Sequence, residues 1–103
     1  MNSSGIDTHV PSAQLVSVSD DTLRVDLSDG RSISVPLAWY PRLLHATPRE
    51  RADWRVIANG AGVRWESIDE DISVEALLAG RSSGESQQSL KEWLKRRSGD
   101  SNN

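Results

Sequence analysis

Apolar and polar residues alternate in three short runs between residues 13 and 35, which is the periodicity of β-strands that are buried on one face. When the first two runs are joined through Asp20-Asp21, Val18 lies opposite Leu23 and the apolar side chains share one face of the sheet. A register shifted by one residue would turn every apolar side chain toward solvent. The alternation therefore constrains the fold more than any other feature of the chain.

The same alternation of apolar and polar residues determines the length of the loop between the second and third strands. A two-residue turn at Asp29-Gly30 would set the apolar residues of one strand opposite the serines of the next. A three-residue loop that ends at Gly30, with this glycine in the left-handed conformation, places Val25 opposite Ile33 and restores one apolar face. The sequence therefore predicts a three-stranded antiparallel meander.

Three short helices are predicted after the meander. Apolar residues recur at helical intervals over residues 39–44, where a proline is tolerated only in the first turn. Residues 47–50 form a capping box at the start of the second helix, with Thr47 as N-cap and Glu50 at the third helical position. In the last of the three helices, Ser73 is the N-cap and Gly80 ends the helix.

The stretch from residue 60 to residue 80 combines a strand, an acidic turn and that last helix. We expect residues 55–59 and the segment around Val63 and Trp65 to form short strands that extend the sheet. Asp69 and Asp71 lie in the acidic turn before the helix, where the helix dipole favours carboxylates.

These elements predict an α+β fold, a small antiparallel β-meander or sheet packed with three short helices, followed by a C-terminal tail that is helical or disordered. We expect a flexible lead-in at 1–12, a domain at 13–80, and a polar tail with a short amphipathic helix at 81–103. A chain of 103 residues buries only about two thirds of its unfolded surface, so a partner or a second copy would add stability.

Composition excludes several classes of protein. The chain has no cysteine, so it has no disulfide or thiolate metal site, and we expect a cytoplasmic protein. No apolar run approaches the ~18 residues of a membrane span, and the lead-in lacks the basic and apolar regions of a signal peptide. A net charge of −3 disfavours a surface devoted to nucleic acid.

The carboxylates at residues 66–75 have two explanations. They are typical of a solvated turn before a helix, and clustered carboxylates also suit a hard divalent cation, although their spacing does not match a calcium loop. Arginines are concentrated in the middle of the chain and could pin this turn with bidentate contacts or bind phosphate. They are Arg42, Arg49, Arg51, Arg55 and Arg64.

A catalytic constellation is not visible. His45 is the only histidine within the predicted fold, and its position at a helix end suits contacts with terminal carbonyls. The glycines at 60–62 lack the lysine or the third glycine of a nucleotide-binding loop. We therefore assign no catalytic, cofactor-binding or metal-binding residue, and we expect no enzyme activity.

The four tryptophans divide into core and candidate contact residues. Trp54 and Trp65 lie beside apolar residues in the predicted domain and belong to its core. The remaining two occur where aromatic side chains could contact a partner, one on a short helix and one in the tail. The candidate partner-binding residues are Trp39, Tyr40, Leu90, Trp93, Leu94, Lys95, Arg96 and Arg97. The tail segment could dock on its own domain or on another protein.

Residues 13–80 resemble a bacterial family, the domain of unknown function DUF2442, through motifs that run from Asp29 to Gly80. The most specific part is Trp65 followed by the acidic turn and the Leu-Leu-Ala-Gly ending at Gly80. Two positions depart from the family, because Arg64 stands where histidine is frequent and Glu66 where proline is common. The residues to which we assign structural roles are Gly30, Thr47, Glu50, Trp54, Trp65, Asp69, Asp71, Ser73 and Gly80.

The resemblance implies a small α+β domain that is often encoded beside another tiny protein, in arrangements that resemble toxin–antitoxin pairs. The sequence and the resemblance together favour a non-enzymatic protein-interaction module, antitoxin-like or regulatory, that binds a small bacterial protein. A nucleic-acid-linked regulator that uses basic patches is the alternative, and a metal-dependent enzyme is a third. A second copy of the chain is a further candidate partner.

Overall fold

The computed structural model describes residues 10–102, with side chains as far as residue 97. Its first sheet is the predicted meander, with β1 at Ala13–Val18, β2 at Thr22–Leu27 and β3 at Ser32–Pro36 in the order β1-β2-β3. Both predicted registers are confirmed: Val18 faces Leu23, and Val25 faces Ile33. The lead-in predicted at 1–12 lies mostly outside the described residues.

A β-bulge near the start of β1 was not predicted. Ala13 faces Leu27 while Leu15 faces the adjacent Asp26, so one extra residue is inserted in β1. The insertion allows Ala13 and Val16, which are three positions apart, to be buried on the same face. Strict alternation would have turned one of them outward, and Leu15 is exposed in consequence.

The second hairpin also has the predicted loop. The backbone N–H of Leu27 donates to the carbonyl of Arg31 at 2.8 Å, which leaves three residues between the paired positions. Gly30 ends that loop with φ at 92°, in the left-handed region that favours glycine.

The later strands form a second sheet, so the expectation that they extend the first sheet is wrong. This sheet contains β4 at Trp54–Ile57, β5 at Gly62–Trp65 and β6 at Glu70–Ser73, in the order β4-β5-β6. Strand β6 was not predicted, because its acidic composition resembles a turn. The structure pairs Val63 with Ile72 and Trp65 with Glu70, so Ile72 and Glu70 point inward.

Four α-helices complete the described chain: α1 at Pro41–Leu44, α2 at Pro48–Ala52, α3 at Val74–Leu78 and α4 at Gln87–Asn102. The predicted capping box on α2 is present, with Thr47 and Glu50 each bonding the other's backbone N–H. Ser73 caps α3 through the N–H of Ala76. Gly80 follows α3 with φ at 72°, so both predicted ends of this helix are confirmed.

One core joins the two sheets and the short helices. Trp65 on β5 is fully buried, and its indole N–H donates to the backbone carbonyl of Arg51 at 2.9 Å. Trp54 on the edge strand β4 is half-buried and packs against the same core. The fully buried side chains around Trp65 include Leu23, Val25, Leu37, Leu43, Val63, Ile68 and Val74.

Substitutions at two glycines test how the residue before β1 packs against the loop between β4 and β5. Gly30 and Gly60 have nearly the same φ, 92° and 94°, but a Cβ at Gly30 would meet open space and a Cβ at Gly60 would collide with the side chain of Ser12. We expect Gly30→Ala to lower the free energy of unfolding by about 1 kcal/mol. Gly60→Ala should lower it by roughly 1–3 kcal/mol more, because overpacking adds to the backbone strain. Urea unfolding of both variants measures the difference, and equal losses would contradict the Ser12 contact.

Candidate functional site: the docked C-terminal helix

The C-terminal helix α4 packs on the domain through one face. Helix positions four residues apart lie on the same face, and Glu85, Ser89, Trp93 and Arg97 follow this spacing from the residues before α4 into its body. Trp93 is only 6% exposed and belongs to the core cluster. Leu90 and Leu94 are half-buried beside it. The tail is therefore ordered by packing on its own domain.

Two guanidinium groups lie over the indole ring of Trp93, one from the domain and one from α4 itself. The Cζ atom of Arg42, at the start of α1, lies 5.2 Å from the ring centroid, and the Cζ atom of Arg97, one turn further along α4, lies 4.6 Å from it. Both distances fall within the ~6 Å over which a cation is attracted to an aromatic ring. We call the surface formed by Arg42, Glu50 and the backbone carbonyl of Ile68 the Trp93 slot.

Arg42 forms the more buried of two ion pairs in the slot. Its Nε donates to both carboxylate oxygens of Glu85, at 3.0 and 2.9 Å, and its Nη1 donates to the Ile68 carbonyl at 3.0 Å. The two side chains are only 13% and 9% exposed. Hydrogen bonds from Arg42 hold the pKa of the Glu85 carboxyl below its usual range, and Ser89 adds a further donor at 2.7 Å.

The second ion pair joins Arg97 on α4 to Glu50 on α2. Arg97 donates from both Nη atoms to the two carboxylate oxygens of Glu50, each at 2.9 Å. These hydrogen bonds lower the pKa of Glu50. The same carboxylate accepts the backbone N–H of Thr47, so one residue caps α2 and holds α4. The sequence analysis identified the capping role alone.

The connection between α3 and α4 is bound as well. The backbone N–H of Ser83 donates to the carbonyl of Trp39 at 3.0 Å, and the hydroxyl of Tyr40 donates to the carbonyl of Arg81 at 3.2 Å. Tyr40 is buried and Trp39 is half-buried against the core. Their contribution to partner binding stays a prediction, and in this structure they contact the chain's own tail.

Glu70 is the only buried charged residue among those whose side chains are described, with 8% exposure. Burial and, after it, the negative charge of Glu85 raise the pKa of Glu70 to about 7, against the opposing effect of Arg42. The charges of Asp71 and Asp69 also raise the pKa of Glu70. Burial, and after it the charge of Glu70, raises the pKa of the Tyr40 hydroxyl. The Trp93 slot therefore has a carboxyl group beneath it that titrates near neutral pH.

The acidic turn is held by arginine, which is one of the two roles that the sequence suggested for the central arginines. Arg64 donates to Glu66 at 2.9 Å, to Asp69 at 2.8 Å and to Asp71 at 2.8 Å. Arg64, together with Arg55, lowers the pKa of Glu66 to about 2. The two positions that depart from the DUF2442 pattern, 64 and 66, therefore contact each other. Asp69 itself has a φ of 54°, which explains the sharp turn into β6.

Most of the central arginines form hydrogen bonds or ion pairs with other groups of the same chain. Besides the contacts of Arg42 and Arg64, Arg55 pairs with Glu66, and Arg51 donates to the carbonyls of Leu43 and Leu44. These contacts use donors that a phosphate group would need. Within the described residues, no three carboxylate or histidine side chains converge as a metal ion requires. His45 is exposed at the C-terminal end of α1.

The outer side of α4 remains available to a partner. Lys91 and Lys95 lie roughly 160° from Trp93 around the helix, at about 100° per residue, and both are exposed. Between the docked and outer faces, an open cleft of about 420 Å³ is lined by Gln87, Gln88, Leu90, Lys91 and Leu94. Arg96, on the other flank of the helix, is exposed too. We call the surface made by Leu90, Leu94, Lys91 and Lys95 the outer face of α4.

Two antiparallel three-stranded sheets with short helices, and a helix docked through one tryptophan, define a small α+β domain with a C-terminal extension. The chain belongs to the family described as protein of unknown function (DUF2442), whose sequence model matches residues 13–83. The resemblance seen in the sequence is thus confirmed. The match ends before α4, so the helix that fills the slot lies outside the matched region.

Two solved structures share this fold. A protein of unknown function from Rhodospirillum rubrum has a TM-score of 0.62 at 24% identity, over 78% of this chain and 96% of that one. An uncharacterized protein from Chromobacterium violaceum has a TM-score of 0.61 at 23% identity, over 79% of this chain and 74% of that one. No curated protein matches the chain. None of the helices within residues 10–102 has the length and apolar character needed to cross a bilayer.

Replacing the tryptophan tests the docking of α4. We expect Trp93→Ala to remove most hydrogen-exchange protection from residues 87–97, because a lone helix of this length is marginal in water. The free energy of unfolding should fall by about 2–4 kcal/mol. Lys91→Ala changes an exposed residue of the same helix and should alter stability by less than about 0.5 kcal/mol. Unchanged protection of α4 in Trp93→Ala would show that other contacts hold the helix.

The titration of Glu70 predicts a pH dependence of stability. Its pKa in the folded protein, about 7, lies above the ordinary value of 4.5, so the folded state binds the proton more tightly. The contribution is therefore fully present below pH 4.5 and is lost as the pH rises through about 7. Glu70→Gln should remove this fall and stabilise the protein at pH 8 by roughly 1–3 kcal/mol.

Urea unfolding between pH 5 and pH 8 measures the effect. Glu75→Gln, at an exposed carboxylate on α3, is the matched control and should keep the wild-type slope. A wild-type slope in Glu70→Gln would mean that this carboxyl does not titrate in the window.

Proposed function

We propose that the chain is a non-enzymatic protein-interaction module that uses the outer face of α4 to bind a small bacterial protein. The observation that carries the proposal is the separation of two faces on α4. Trp93 and Arg97 attach the helix to the domain, and Leu90, Leu94 and Lys91 line an open cleft, with Lys95 exposed one turn beyond Lys91. A rigidly held helix presents such a surface without a large loss of conformational entropy on binding.

The partner that fits this surface carries an acidic amphipathic helix. Its apolar side chains would cover the exposed parts of Leu90 and Leu94, and its carboxylates would meet Lys91 and Lys95. The surface differs from the tail anchor predicted from the sequence, since Trp93 is occupied by the chain's own slot. Of the candidate residues, Leu90, Leu94 and Lys95 belong to the outer face, while Arg96 is exposed on the flank beside it.

The antitoxin-like role is the more specific form of the proposal. It is supported by the family resemblance, which implies a tiny protein encoded nearby, and by the small size of the surface available on α4. The absence of cysteine from the sequence agrees with action in the cytoplasm. The committed arginines and carboxylates near the Trp93 slot favour a binding role over catalysis, because their charges are neutralised within the chain.

Charge reversal on α4 tests the proposal. We expect Lys91→Glu with Lys95→Glu to weaken capture of the partner from the native bacterial lysate at least tenfold, because two rim charges then repel an acidic surface. Arg24→Glu with Arg31→Glu is the matched control, since it makes the same change of net charge on exposed residues of the first sheet. Quantitative mass spectrometry of tagged full-length chains measures the bound protein.

Equal capture by the two double variants would contradict the role of the outer face. Failure of the unsubstituted chain to retain any stoichiometric protein would contradict the interaction module itself. The nucleic-acid alternative rests on the same exposed basic residues. Duplex DNA binding that falls steeply with salt and is lost in Lys91→Glu with Lys95→Glu would support that alternative instead.

A further inference from the structure

The segment that fills the Trp93 slot has the composition of a peptide ligand. Its docking groups are Glu85, Trp93 and Arg97, which follow one line at multiples of four residues. The domain offers the complementary order, with Arg42 for the acidic group and Glu50 for the basic one. A reversed helix would bring like charges together at both ends. The slot therefore specifies both the sequence and the direction of the helix that it holds.

All of the slot's groups lie on the domain side of a short connection. Arg42, Glu50 and the Ile68 carbonyl precede the connection, and the docking groups follow it. Gly80 has a φ of 72°, and a Cβ placed on Gly80 or on Gly84 would meet no other atom within 4 Å. Ser82 is exposed between them. Another path for the connection would have to exchange the hydrogen bonds of Arg81 with Ala76 and Tyr40, but it meets no steric obstacle at either glycine.

We propose that the slot exchanges its own helix for the same helix of a second copy, which gives a two-fold symmetric, segment-swapped dimer. The partner copy would contribute Trp93 to the slot, with its flanking acidic and basic groups. Each contact between residues 83–97 and the domain is formed by groups on opposite sides of the hinge at residues 80–82, so each can form equally well between copies. This dimer is closed, because two slots receive two helices.

Tethering decides how much of the dimer forms. A short flexible connection gives the chain's own helix an effective concentration in the ~mM range. The unsubstituted chain is therefore monomeric at micromolar concentration and dimerises near ~mM concentration. A substitution that weakens docking within one chain but allows docking between two different chains would shift the equilibrium from monomer to dimer.

The Glu50–Arg97 pair provides such a change. Glu50→Arg alone places two positive groups together within one chain, and Arg97→Glu alone places two negative groups together. In a mixed dimer of the two variants, each helix is received by the domain of the other chain.

In that mixed dimer, the domain of the Glu50→Arg chain receives the helix of the Arg97→Glu chain, which restores one ion pair with its charges reversed. The domain of the Arg97→Glu chain keeps Glu50 and receives the unchanged Arg97 of the other chain, which restores the second pair. Each restored pair favours the mixed dimer by at least about tenfold, so its dissociation constant should lie about 100-fold below that of either variant alone.

Native mass spectrometry and light scattering of the full-length chains, alone and mixed at about 50 μM, measure the mixed dimer. The expected result is a one-to-one dimer in the mixture, with monomers in the separate samples. The double variant Glu50→Arg with Arg97→Glu is the control, because it also loses the capping box but restores the pair within one chain. It should be monomeric, with the hydrogen-exchange protection of residues 87–97 that the unsubstituted chain has.

A mixture that stays monomeric while the double variant keeps the hydrogen-exchange protection of α4 would overturn the proposal. Loss of that protection in the double variant would overturn it too, because the pair would then not hold the helix. The same set of variants at Arg42 and Glu85 repeats the test should Glu50→Arg fail to fold. The outer face of α4 is exposed in either arrangement, so these outcomes are independent of the proposed function.

Discussion

The guanidinium group of Arg42 joins three parts of the chain that are distant in sequence. It binds the Glu85 carboxylate before α4, the Ile68 carbonyl before β6, and the face of the Trp93 ring. A planar group with several fixed donors can satisfy such different neighbours at once, which a lysine ammonium cannot do with the same geometry. The docking of α4 and the closure of the core beneath it both depend on this side chain.

The buried Glu70 carboxyl lies within reach of both charges of the Arg42–Glu85 ion pair. Arg42 lies near it and reduces the unfavourable effect of its charge, while Glu85 increases that effect. The arrangement is therefore a balance between one arginine and two carboxylates in a partly dehydrated region, where electrostatic effects are stronger than at the surface. A neutral Glu70 relieves the repulsion, so the proton and the docked helix stabilise the same arrangement of the junction.

Local signals in the sequence predicted much of the fold. The alternation of apolar and polar residues predicted the register of the meander. The capping box at Thr47 and the glycine at position 80 predicted helix ends. Each of these signals depends on residues close in sequence. The strand β6 was missed, since its burial depends on pairing with β5 and on an inward Glu70. The slot was missed for a similar reason: Arg42 and Glu85 are 43 positions apart, and Glu50 and Arg97 are 47 apart. The local signals of docking were the apolar residues Leu90, Trp93 and Leu94 in a polar tail, which left docking on the chain's own domain or on another protein open, and the four-residue spacing from Glu85 to Arg97.

The periodicity of α4 links the docked helix to any role in binding. Trp93 and Arg97 hold one side of α4 on the domain, and Leu90 and Leu94 are half-buried beside them, so the exposed residues on the far side are not needed for attachment. In this chain the two faces also differ in chemistry. The docked face has an aromatic ring with both charges neutralised in ion pairs, whereas the outer side carries Lys91 and Lys95 next to Leu90 and Leu94. Because the net charge of the chain is −3, this basic strip stands out in the field that an approaching acidic protein would experience.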